Sequence, residues 1–182
     1  VLFRSTAPVV TTSVMYHVGS KDENPERTGF AHFFEHLLFE GTENIGRGEW
    51  FKIVSSNGGS NNANTTADRT YYYEVFPSNK VELGLWMESE RLMHPIINEI
   101  GVETQNEVVK EEKRQRVDNA PYGGLSYGTA IQPHLFTKHP YRWSVIGSMD
   151  HLDAATLEEF QEFNKKFYVP NNAVLVVAGD IN

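Results

Sequence analysis

Two strand-like runs, Ser60–Ala67 and Thr70–Phe76, are separated only by Asp68-Arg69. So short a link cannot carry a parallel crossover, so the two runs must fold back on each other as an antiparallel hairpin. Residues 8–18, rich in Val, Thr and Tyr, read as a further strand, and the apolar run Ala173–Ala178 reads as a buried one. The remaining apolar positions recur at helical spacing. They predict helices from Thr28 or Gly29 to Phe39, over 48–56 with a stop at Asn57-Gly58, and over 79–93, 102–118, 124–132 and 156–167. In the 79–93 segment Asn79 stands three residues before Glu82 as in a capping box, and Val81, Leu85, Trp86, Leu92 and Met93 supply the apolar face. This order predicts an α+β fold, a mostly antiparallel sheet with helices packed on one face. At 182 residues the chain is expected to form one domain, 1–182, with a substantial core.

The chain contains no cysteine, which excludes disulfides, thiolate catalysis and Cys-ligated metal, so any metal site must draw on His, Asp and Glu. A formal charge of −8 with no dense Lys/Arg run argues against a nucleic-acid surface or an anionic membrane face. No apolar run approaches the roughly 20 residues of a membrane span, so membrane attachment is not visible. Val1–Ser5 matches a translated sequencing-adapter tail. Residues 1–5 are therefore expected to be foreign to the domain, and the chain is expected to be cut at both ends. A signal peptide would lie upstream of these residues, so localisation is not legible in them.

The sharpest chemical signal is His32-Phe33-Phe34-Glu35-His36. Positions i and i+4 of a helix lie almost above one another, so His32 and His36 can offer two imidazole nitrogens to one ion, with Glu35 on the same side. A catalytic zinc typically takes three protein ligands and keeps a fourth place for water, and a carboxylate beside that water can take its proton. The bland reading is a solvated helix whose His pair binds nothing. Against it, Phe30, Phe33, Phe34, Leu37 and Leu38 flank the motif and bury the helix, and buried imidazoles need partners.

A third ligand is available from the 102–118 helix, which carries Glu103, Glu107, Glu111 and Glu112. Most of these acids read as a solvated face pairing with Lys110, Lys113, Arg114 and Arg116. Val108 and Val109 mark the buried side, and Glu112 follows them by four and three residues. Spacing therefore nominates Glu112, with Glu111 the weaker candidate.

The run Phe30–Thr42 resembles the signature of the inverzincins, the HxxEH zinc peptidases that include pitrilysin, insulin-degrading enzyme and the mitochondrial processing peptidase. The likeness continues at Asn62–Thr70, Val108–Arg114, Asp118–Gly123, His139-Pro140-Tyr141, Val145-Ile146-Gly147, Tyr168–Ala173 and Val176–Asp180. It implies that the chain is the N-terminal half of a bacterial-type zinc endopeptidase of short or unfolded polypeptides. One Zn2+ per chain is then held by His32, His36 and Glu112, and Glu35 is the general base. The family often carries a second Glu seven residues before the third ligand, in support of the site, and Gln105 stands there in this chain. The resemblance also implies a second, similarly folded half or a partner subunit closing over the substrate, and a periplasmic or cell-envelope location.

Ser60–Ala67 is a strand with almost nothing to bury. It reads either as a solvated edge or as an edge kept polar to pair with an extended peptide. The resemblance favours the second, with Asn62, Ala63 and Thr65 holding the substrate backbone. Two competing functions are a non-catalytic homologous subunit, which keeps the fold for docking, and a ribosylhomocysteine-cleaving hydrolase, which uses a cysteine this chain does not have.

Overall fold

The structure, a computed structural model, describes residues 7–181; the reading of residues 1–5 falls outside them. Four strands, β1 (Val9–Tyr16), β2 (Ser60–Thr65), β3 (Thr70–Pro77) and β4 (Ala173–Gly179), form one sheet in the order β2-β3-β1-β4. Every pairing is antiparallel, and Val14 of β1 stands opposite both Tyr72 of β3 and Leu175 of β4. The helices are α1 (Phe30–Leu37), α2 (Trp50–Ser56), α3 (Val81–Met93), α4 (Glu99–Lys113), α5 (Gln132–Leu135), α6 (Met149–Asp153) and α7 (Leu157–Phe167). The α+β class and the hairpin are as the sequence predicts.

The even-numbered residues of β1 point to one face of the sheet, where two apolar clusters form. Val14, Tyr16 and Tyr72 pack with Phe30, Phe33 and Phe34 of α1 and Phe160 of α7. Val10 and Phe76 pack with Trp50 and Val54 of α2 and Met87 of α3.

Several expectations are corrected. Strand β4 is not buried: Val174, Leu175 and Val176 are about half exposed, because β4 is an edge strand with β1 as its only neighbour among the described residues. Helix α3 has no Asn79 cap; Ser78–Lys80 is a 3-10 turn and the α-helix starts at Val81 without side-chain capping. Nor is its expected face the buried one, since Leu85, Trp86 and Met93 are 37%, 39% and 67% exposed. Helix α3 instead buries Gly84, Met87, Glu88, Glu90 and Arg91. Gly84 sets this choice, because a Cβ there would meet Thr12 Oγ1 at 2.6 Å. The bare backbone lets α3 lie close against β1, and the residues on that side are then covered whatever their polarity.

The 102–118 helix begins earlier, at Glu99, where the Asn98 side chain accepts from Gly101 N at 2.9 Å, and its α-helical part ends at Lys113, before a π-turn over Arg114–Asp118. Val109 of this helix is fully buried, while Val108 faces out. The expected helix over 124–132 is broken into a 3-10 turn, Gly123–Leu125, a π-turn, Tyr127–Ile131, and α5.

Between the two apolar clusters lies a buried charged group. Arg91 Nη2 donates to Glu74 Oε1 at 2.7 Å and Arg91 Nε to Glu88 Oε2 at 3.2 Å. The Arg91 guanidinium also lies over the rings of Tyr72, Trp50 and Phe39, at 4.1, 4.2 and 4.6 Å from their centroids. Burial above all pushes the Glu74 carboxyl well above the usual carboxylate range.

Candidate metal centre

Helix α1 has eight residues, fewer than the roughly 12–15 an isolated helix needs to persist, so its stability comes from what holds it. At its N-terminus Gly29 adopts φ 100°, a conformation other residues rarely take. The buried Glu23 carboxylate accepts from Gly29 N and Ala31 N, both at 2.9 Å. Toward the C-terminus Arg91 Nη1 approaches the Leu38 carbonyl at 3.4 Å, and Tyr72 Oη donates to the Phe34 carbonyl at 2.8 Å. The cation at the end matches the helix dipole. On its apolar side, the Phe30 and Phe33 rings lie 4.6 and 4.7 Å from that of Phe160. With that face buried, His32, Glu35 and His36 turn toward an open cleft of about 640 Å³.

Helix α4 crosses α1 and brings Glu112 to the histidines. The Nε2 atoms of His32 and His36 are 3.3 Å apart, and Glu112 Oε2 lies 3.4 Å from the first and 3.0 Å from the second. Zinc bonds of about 2.0–2.1 Å in a tetrahedron put neighbouring ligand atoms about 3.3 Å apart, so the three donors fit one face of such a site. Hydrogen bonding with His32, then with His36, holds the Glu112 carboxyl well below its ordinary range, burial opposing, so it is present as the anion a cation needs. Among the described residues these three form the one cluster able to hold a metal ion. Glu111 does not join them; it pairs with Arg114 and Gln115 in solvent.

Glu35 lines the same cleft outside the three-donor group, and its Oε2 accepts from Thr65 Oγ1 at 2.6 Å. The Thr65 side chain is thus engaged with Glu35. Asn62 and Ala63 also line the cleft, where the Asn62 Oδ1 accepts from its neighbour's amide, Ala63 N, at 2.9 Å. Gln105 donates to Glu40; the buried His32 Nδ1 has no hydrogen-bond partner among the described residues. Sequence reading missed Glu23, the Thr65–Glu35 contact and Arg116, whose guanidinium reaches Glu112 Oε1 at 2.6 Å. Of these only Arg116 left a signal, four residues after Glu112 on the same helical side.

Comparison with known proteins gives the class. The model of the insulinase family, peptidase family M16, matches residues 1–134. The zinc protease PqqE of Helicobacter pylori is 36% identical over 96% of this chain and 39% of that protein. An uncharacterized zinc protease of Mycobacterium leprae is 31% identical over 94% of the chain and 38% of its own length. Among solved structures, a protease from Helicobacter pylori superposes with a TM-score of 0.89 at 34% identity, covering 98% of this chain and 43% of that one. The periplasmic protease PqqL from Escherichia coli gives 0.85 at 26% identity, covering 96% and 20%.

The chain belongs to the M16 peptidase family. It spans about two fifths of the length of the curated relatives it matches.

Proposed function

We propose that this chain carries the zinc site of an M16 endopeptidase, with His32, His36 and Glu112 holding one Zn2+ and Glu35 acting as general base. The observation that supports it most is the triangle of 3.0–3.4 Å formed by the three donors, with a carboxylate beside but outside it. When bound, zinc supplies a Lewis acid that lowers the pKa of water and polarises the scissile carbonyl. Thr65 occupies Glu35 Oε2, so Glu35 Oε1 is the atom that takes the proton of the attacking water and passes it to the leaving amine. Among the described residues strand β2 is the edge of the sheet that borders the cleft, and a peptide lying along it meets Asn62 and Ala63. To pair with the Ala63 amide the peptide displaces the Asn62 side-chain oxygen, so Asn62 keeps that amide satisfied between substrates.

The complete enzyme, in this proposal, closes the cleft with a second, similarly folded half, on the same chain or a separate subunit. One relative is described as periplasmic, and we extend that location to this protein. In the full-length protein Glu35→Gln should retain zinc while peptide hydrolysis falls by about 10²–10⁴, and His36→Ala should lose zinc. Full activity in Glu35→Gln refutes the proposed base. Zinc uptake by the wild type with no hydrolysis of unfolded peptides returns the protein to the non-catalytic reading.

A further inference from the structure

Glu112 divides its two oxygens. Oε2 faces His32 and His36, while Oε1 lies 2.6 Å from Arg116 Nη1. Arg116 sits in the π-turn Arg114–Asp118, which interrupts the α-helical ladder directly after the turn that carries Glu112. Such turns recur at functional sites, where they re-aim side chains. The neighbouring bases do not compete for the same acid, since Lys113 pairs with Asp118 and Arg114 with Glu111. The contact is not a core interaction either, as the Arg116 side chain is 75% exposed and also lines the cleft.

We propose that Arg116 is a positioning residue for the metal site: by holding Oε1 it fixes the rotation of the Glu112 carboxylate, so that Oε2 is the oxygen offered to zinc. The inference rests on the peptidase reading above. An exposed ion pair contributes little to folding, so the role of Arg116 lies in the orientation of Glu112. A ligand carboxylate that must stay still needs an outer partner, and loss of such partners typically costs about 10–100-fold in metal affinity or activity. Gln105 and His32 Nδ1 sharpen the point: the Gln105 amide is bonded to Glu40, and His32 Nδ1 has no hydrogen-bond partner among the described residues. The guanidinium suits the task, being permanently charged and planar.

The test compares wild type, Arg116→Ala and Arg116→Lys in the full-length protein. Zinc affinity is measured by competition with a chromogenic chelator, alongside kcat and KM on an unfolded peptide and thermal unfolding of the metal-free protein. Arg116→Ala should bind zinc about tenfold more weakly, with lowered kcat, little change in KM and unchanged metal-free unfolding. Arg116→Lys, which keeps a charge near Oε1, should recover part of the affinity. Zinc affinity in Arg116→Ala equal to wild type overturns the inference, as does a rise in KM alone, which would assign Arg116 to the substrate. A wild type that takes up no zinc overturns the peptidase reading itself, so the two failures are told apart.

Discussion

At the scale of single residues, the site separates the three proposed ligands from the side chains that touch them. Helical spacing nominated Glu112 because it lies on the side of the buried Val109, and it left Glu111 as the weaker candidate, which the structure places in solvent with Arg114 and Gln115. Thr65 was read as a substrate contact, yet its hydroxyl donates to Glu35. No sequence rule links positions 35 and 65; only the crossing of α1 over β2 brings them together. The contact makes a test. Thr65→Val keeps the shape and removes the donor, so kcat should fall about tenfold, the worth of one hydrogen bond to a charged group, with KM near wild type. Thr65→Ser should restore kcat. Steady-state kinetics in which KM rises at constant kcat would instead return Thr65 to the peptide backbone.

At the scale of elements, α1 is a two-turn helix held at both ends, and its clamps explain what was and was not legible. Its aromatic face follows from the sequence alone, since Phe30, Phe33 and Phe34 fall on one stripe. Glu23 was invisible because a carboxylate in a polar loop reads as solvated. In the fold, burial pushes the Glu23 carboxyl up from 4.5 to about 8, against the pull of the Gly29 and Ala31 amides. A group whose pKa rises on folding contributes stability that is full below pH 4.5 and is lost as pH climbs through 8. The destabilisation caused by Glu23→Ala should therefore be largest near pH 5 and shrink toward pH 8. Urea unfolding of wild type and variant at the two pH values reads this directly, and a cost that grows with pH would contradict it.

At the scale of the whole molecule, the pairing of β2 with β3 was readable because a two-residue link leaves no other geometry, whereas the places of β1 and β4 in the sheet order were not. Burial was not. Strand β4 has an apolar sequence, but as an edge strand it has one neighbour, and exposure depends on neighbours that no local pattern encodes. The face of α3 was misread for the related reason that hydrophobic spacing assigns charges to solvent, whereas Gly84 draws Glu88 and Arg91 against the sheet. The resulting group of Glu74, Glu88 and Arg91 joins the two apolar clusters and reaches the end of α1 through Leu38. Removing Arg91 leaves buried acid without its counter-charge. Arg91→Met should thus destabilise the protein by about 3–5 kcal/mol, while replacing all three with apolar residues of similar size should recover most of that loss. Chemical denaturation of the single and triple variants checks both.

That group also has a consequence in evolutionary time. Single steps cannot carry its three members to an apolar core without passing through a protein with a stranded charge beside α1. Once one acid is gone, the remaining Arg91–carboxylate pair must lose one partner before the other. Point mutation supplies steps one at a time, so the trio acts as a ratchet. A lineage that acquires it is held to it by the cost of leaving, whatever the trio itself contributes to stability.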